Sequence, residues 1–203
     1  MVPDGIGMEA KLDQRVWKLR QAAIGSGRSG PIAGLSKRLA RKAYRASERF
    51  FGFYIPLHTR FDGVPYFPHG VSGVHISRHS RIGKEAIILQ HVTIGSNTLM
   101  DSSGLGAPTI GDRCYIGAGA RIIGKLRIGD DVRVGANAVV TRDVPDGATV
   151  VGFNNVIPPR GGPRNNRYFR HTPHGWESVT GSGAMPATPE EAGILAAAFP
   201  DDD

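Results

Sequence analysis

Cysteine is almost missing from this chain: Cys114 is the single one in 203 residues. That excludes an internal disulfide and any site held by several cysteines, and it fits a reducing compartment. Aromatic residues are few, at 7%. No apolar run approaches the roughly 20 residues needed to span a bilayer. The opening stretch "MVPDGIGMEAKLDQ" lacks the apolar core of a signal peptide, so a cytoplasmic protein is expected. Glycine is plentiful, with 28 residues beside 14 prolines. Their spacing is too irregular for collagen and points to turn-rich, β-biased structure. The length suits one domain with appendages.

Acidic residues are scarce at one end. Residues 1–50 hold 11 Lys or Arg against 4 Asp or Glu, while residues 51–203 hold 14 of each. The whole net charge of +7 therefore lies in the N-terminal segment. A basic helix there is expected to be a solvated face, with at most weak contact with a membrane surface. Phe and Tyr are not interleaved with the basic residues, so no nucleic-acid partner is expected.

The centre of the chain is periodic. Aliphatic residues recur every six positions at Ile76, Ile82, Ile88 and Ile94, and again at Ile110, Ile116, Ile122, Ile128, Val134 and Val140. Glycine follows directly at Gly83, Gly95, Gly111, Gly117, Gly129 and Gly135. A helix would give a period near 3.6 and an ordinary strand a period of 2. Six residues make one short strand and a corner, and three such units close a triangular coil. One residue per unit then points inward and stacks on its equivalent about 4.8 Å away in the next coil.

Two steps break the beat. Ile55, Phe61 and Phe67 keep it, but Phe67 to Ile76 is nine residues, spanning "FPHGVSGVHIS". Ile94 to Ile110 is sixteen, and "GSNTLMDSSGLGAPT" predicts a loop extruded from the coil near 95–109. Residues 8–25 and 33–50 read as two helices around the breaker "GSGRSGP", with Leu35, Leu39 and Tyr44 on one face of the second. After "VPDGATVVGFNNVIPPR" the period ends. Residues 161–203 are expected to form a mostly flexible tail, with a short helix over "PEEAGILAAAF".

"IPLHTRFDGVPYFPHGVSGVHIS", "LQHVTIG" and "GAPTIGDRCYIGAGARIIGKLRIGDDVRVGANAVVTRDVPDGATVVG" together resemble the serine acetyltransferase-like hexapeptide acyltransferases over about residues 52–157. The resemblance implies a left-handed parallel β-helix, a homotrimer with active sites between neighbouring subunits, and acetyl-CoA as co-substrate. The expected architecture is mostly β: a basic helical segment over 1–51, the β-helix acyltransferase domain over 52–160 and the tail over 161–203.

In that family the catalytic histidine lies two residues after an inward apolar residue, shortly before a Gly-aliphatic-x-aliphatic strand. Here Phe67, Pro68 and His69 precede "GVHI" from Gly73, so the role carries over to His69. An imidazole with a pKa near 6.5 can accept a proton at neutral pH. His69 is expected to take the proton of an acceptor hydroxyl, and amides at glycine corners to hold the developing oxyanion. The plainer reading of His69 is a turn filler. His91 is read as lining the acceptor pocket or as an outward side chain at the trimer seam. His75, beside inward Ile76, is expected to face out. On the donor side, a pantetheine arm needs close backbone approach, which Gly117, Ala118, Gly135 and Ala136 permit; economy of packing explains the same small residues. Arg142 and Arg160 match positions where related enzymes keep basic groups near the nucleotide phosphates.

Several family residues are replaced. Tyr54 stands where serine acetyltransferases have the aspartate that orients the histidine. Pro68 replaces another aspartate, and Gly106 and Ala107 replace an Arg-His pair. Asp62 and Asp101 are the candidate substitutes on the substrate side. With the groups that grip an amino acid missing, the expected reaction is O-acetylation of a sugar or polysaccharide hydroxyl. The alternative is the serine O-acetyltransferase of cysteine biosynthesis. A zinc lyase of the carbonic anhydrase kind would need three convergent histidines, for which His69, His75 and His91 are the only supply, and no metal is expected. A non-catalytic scaffold that binds a partner through its basic helices is the remaining alternative.

Overall fold

The six-residue beat becomes a three-faced prism. The computed structural model describes residues 8–25, 31–159, 161 and 165–199. Face A carries the parallel strands His75–Ile76, Thr93–Gly95, Arg121–Ile123 and Val139–Val140. Face B carries Arg60–Phe61, Arg81–Ile82, Thr109–Ile110 and Arg127–Ile128. Face C carries Ile87–Ile88, Tyr115–Ile116, Arg133–Val134 and Thr149–Val151, with Asn155–Ile157 added antiparallel at its end. The chain visits A, B and C in turn and pairs each strand with its equivalent one coil away, the arrangement of a parallel β-helix, here of the left-handed kind.

Register follows the repeat. Ile76 pairs with Ile94 and Ile94 with Ile122 on face A. Ile82, Ile110 and Ile128 form the ladder on face B, and Ile88, Ile116 and Val134 the one on face C. All nine side chains are buried and fill the interior. Glycine after the inward residue is a packing requirement on face B: a Cβ on Gly111 would lie 2.6 Å from the Gly129 carbonyl oxygen in the next coil. The neighbouring corner is tied by an aspartate ladder. Asp112 Oδ1 accepts from the Lys84 amide at 2.7 Å, Asp130 Oδ1 from the Asp112 amide at 2.8 Å, and Asp146 Oδ1 from the Asp130 amide at 3.0 Å.

Helices α1 (Met8–Ile24) and α2 (Pro31–Phe51) cap the open end of the first coil. Arg20 is buried there and donates to the Thr59 carbonyl at 2.6 Å, with its guanidinium over the Trp17 and Phe61 rings at 4.9 and 4.8 Å. Burial pushes the Arg20 pKa down, against the opposing pull of Tyr44 and Glu48. Tyr44 is buried, packs edge-on to Phe53 and donates to the Ile55 carbonyl at 2.7 Å. The face expected for α2 is corrected here: Leu35 and Leu39 are exposed while Tyr44 is buried. Nine residues separate Leu35 from Tyr44, which is two and a half turns, so the two side chains point in opposite directions.

The tail holds more order than the mostly flexible segment expected. Tyr168–Thr172, Gly175–Thr180 and Gly183–Pro186 form an antiparallel three-stranded sheet. Helix α3 (Pro189–Ala198) follows, as "PEEAGILAAAF" predicts, with Thr188 and Glu191 forming a capping box. The tail lies on face C. Arg133 donates to Asn166 Oδ1 and to the Asn165 carbonyl, both at 2.6 Å, and Asn166 Nδ2 donates to the Arg113 carbonyl at 2.9 Å.

Candidate active site

Both breaks in the beat fall on edges of the prism. The three extra residues between Phe67 and Ile76 widen the edge from face C to face A in the first coil. The step from coil to coil there is 21 residues, since Phe61 pairs with Ile82, against 18 from Ile76 to Ile94. Gly70 closes a turn on the Phe67 carbonyl at 3.2 Å, and His69 sits in that turn, exposed. Its imidazole meets the ring of Tyr168 edge-on, with centroids 6.0 Å apart, and Tyr168 also packs on Tyr66 at 5.7 Å. Burial raises the Tyr168 pKa, partly offset by Arg170, and keeps the phenol neutral beside His69. The tail therefore supplies one wall of the histidine's surroundings.

The next coil down brings in His91 at the same edge. Its backbone is left-handed, φ +60°, and its amide donates to the Ser72 carbonyl at 3.2 Å. The ring lies over Gly73, so closely that a Cβ there would be 2.1 Å from His91 Nδ1. A left-handed non-glycine residue costs roughly 1–2 kcal/mol. Glu85, Arg113 and Asp131 adopt the same conformation at another edge, so the strain belongs to the coil geometry and is not special to His91. Beside it, Gln90 Oε1 is buried without a hydrogen-bond partner.

Further along this edge come Gly117 and Ala118, then Gly135 and Ala136. From His69 to Ala136 the edge is three coils tall, about 14 Å at ~4.8 Å per coil. Gly117 is required by packing, since a Cβ would meet the Ala136 amide nitrogen at 2.6 Å. Ala118 is half-buried and Ala136 exposed, so Gly117, Ala118, Gly135 and Ala136 make this part of the edge a strip of small residues. Four glycine amides along this edge are taken up within the chain itself. Gly73 donates to Gly52, Gly117 to Val134, Gly119 to Gln90 and Gly135 to Val150, so each is committed to the coil.

The remaining candidates lie elsewhere. Asp62 is on the side of face B, where Arg81 Nε donates to it at 2.9 Å. Asp101 is exposed on the loop that leaves the edge from A to B, and that loop is closed by paired Asn97 and Gly106. Arg142 is exposed on that other edge and donates to the Asn154 carbonyl. Arg160 lies outside the described residues. His75 is exposed, with Nδ1 facing the Gly73 carbonyl at 3.0 Å. Among the described residues, no three His, Cys, Asp or Glu side chains gather as ligands for a metal ion. No motif or break in the repeat marks Tyr168 or Gln90. The alternation of "YFRHTPHGWESVT" around Pro-His-Gly signals a hairpin, but nothing local signals where it docks.

A family model described as bacterial transferase hexapeptide (six repeats) matches residues 107–142. A serine acetyltransferase of Mycobacterium tuberculosis is 40% identical over 106 residues, 50% of this chain and 45% of the relative. The serine acetyltransferase of Staphylococcus aureus is 35% identical over 136 residues, 66% of this chain and 62% of the relative. The chain is serine acetyltransferase-like. The solved structure of soybean serine acetyltransferase complexed with serine superposes with a TM-score of 0.55 and 31% identity, over 74% of this chain and 57% of that one. The matched stretches span about half to three-fifths of these relatives' lengths. What is shared with them is the β-helix fold.

Proposed function

We propose that the chain is an acetyl-CoA-dependent O-acetyltransferase acting as a homotrimer, with the hydroxyl of L-serine as its acceptor. The observation that carries the transfer reading is the exposed imidazole of His69, held on the same edge as the small residues Ala118 and Ala136. The serine acceptor rests on the relatives, which are serine acetyltransferases. His69 takes the proton of the acceptor hydroxyl as that oxygen attacks the thioester carbonyl. The tetrahedral intermediate collapses with cleavage of the carbon–sulfur bond. The acetyl ester forms, and the CoA thiolate leaves as the imidazolium returns the proton. General base catalysis of this kind contributes roughly 10²–10⁴-fold. A thioester arm laid along the strip from Ala136 to His91 would bring its reactive end to His69. Three copies about a common axis would close this open edge with a neighbouring face.

A sugar hydroxyl is the second reading, and specific residues favour it. Tyr54, Pro68, Gly106 and Ala107 bear no charge with which to grip an ammonium or a carboxylate. Asp62 is already paired with Arg81. An acceptor screen separates the two: purified protein, acetyl-CoA and thiol detection, with L-serine against a panel of sugars. Release of CoA that depends on L-serine, with O-acetylserine as product, is expected. Release that depends on sugars alone assigns the second reading. No acceptor-dependent release from either class contradicts both.

A further inference from the structure

We infer that the outer face of α2 docks on an anionic lipid bilayer. At about 100° per residue, Leu35, Leu39, Ala43, Ala46 and Phe50 fall on one stripe of this helix. The helix is attached by its opposite side, through buried Tyr44, and Arg41 Nε donates to the Ala23 carbonyl of α1 at 3.1 Å. The stripe therefore looks away from the prism: Leu35 is 60% exposed, Leu39 57% and Phe50 82%. Arg38, Lys42, Arg45 and Arg49 run along one border of it, all exposed. The helix has a single acid, Glu48, which is turned inward and accepts from the Ile55 amide at 3.3 Å. The outward arc thus combines large apolar side chains with four cations and no anion.

Charge complementarity selects the occupant. A second copy of the same face would set like charges against each other. An anionic bilayer offers phosphates to the cationic row and acyl chains to Leu35, Leu39 and Phe50. No described helix is long and apolar enough to cross a membrane, so α2 would lie in the interface plane. Residues 51–203 are charge-balanced, so the attraction is confined to the helical cap and turns that end of the prism toward the lipid. The inference does not depend on which acceptor is used.

Flotation of the full chain with vesicles tests it, using phosphatidylcholine alone and phosphatidylcholine mixed with phosphatidylglycerol. The chain is expected to float with the mixed vesicles only and to be released by added salt. Lys42→Ser and Arg49→Ser should each weaken binding about fivefold. Leu39→Ser with Phe50→Ser should abolish it while CoA release in solution is unchanged. Failure to bind the mixed vesicles, equal binding to neutral ones, or full binding by the Leu39→Ser, Phe50→Ser variant would each overturn the inference. A fall in the oligomer's mass in that variant would overturn it too, by assigning the stripe to a second copy.

Discussion

An imidazole that takes a proton from a substrate must be reachable and must be held, and His69 is both: exposed on its edge and backed by the edge of Tyr168. His91 occupies a left-handed corner that glycine would fill at lower cost. His91→Gly should leave the protein as stable as before, or more so by about 1 kcal/mol. If His91 lines the acceptor pocket, that variant should raise the acceptor KM; thermal unfolding and steady-state kinetics on the same preparation check both. Cys114 is the opposite case. It is buried, its Sγ donates to the Gly129 carbonyl at 3.1 Å, and burial pushes its pKa up to about 12. A thiol needs its thiolate to react, so Cys114 should resist a disulfide reagent at pH 8 in the folded protein and react at once after denaturation. Thiol detection then reads released CoA alone.

At the scale of elements, the ladders explain why the repeat was legible and the tail was not. A buried stack such as Ile76, Ile94 and Ile122 repeats one local demand at a fixed spacing, so it is written in each coil. The nine-residue step marked the edge of His69 for the same reason: extra residues in a stacked coil can only bulge outward. Nothing comparable marks Tyr168, whose partners Tyr66 and His69 lie about a hundred residues away along the chain. Its wall is an expected kinetic feature. Tyr168→Ala should lower kcat/KM with little change in stability, and Tyr168→Phe, which keeps the ring, should restore it; an unchanged kcat/KM in the alanine variant would exclude a role in holding His69. Gly111→Ala probes the coil itself. A Cβ 2.6 Å from the Gly129 carbonyl overpacks the contact, costing about 1–3 kcal/mol, which calorimetry would read as a lowered thermal midpoint.

Across the whole molecule, the capped end, the tail-covered face and the open edge divide the work. The cap closes the first coil, where unpaired strands would otherwise invite another chain. Arg20→Ala removes a charged donor from the buried Thr59 carbonyl and should cost about 1.5–3 kcal/mol, measured by denaturant unfolding. If the open edge is closed by a neighbouring copy, as proposed, light scattering should give three times the 21.7 kDa chain mass; a clean monomer that is fully active would contradict the shared site. What remains is the chemistry at that edge, which one comparison reaches most directly. CoA release is measured for the wild type and for His69→Ala at saturating acetyl-CoA and L-serine, after both are shown to have the same mass and fold. The variant is predicted to lose roughly 10²–10⁴-fold in rate. A His69→Ala protein that is correctly folded and assembled, and still releases CoA near the wild-type rate, would contradict the account.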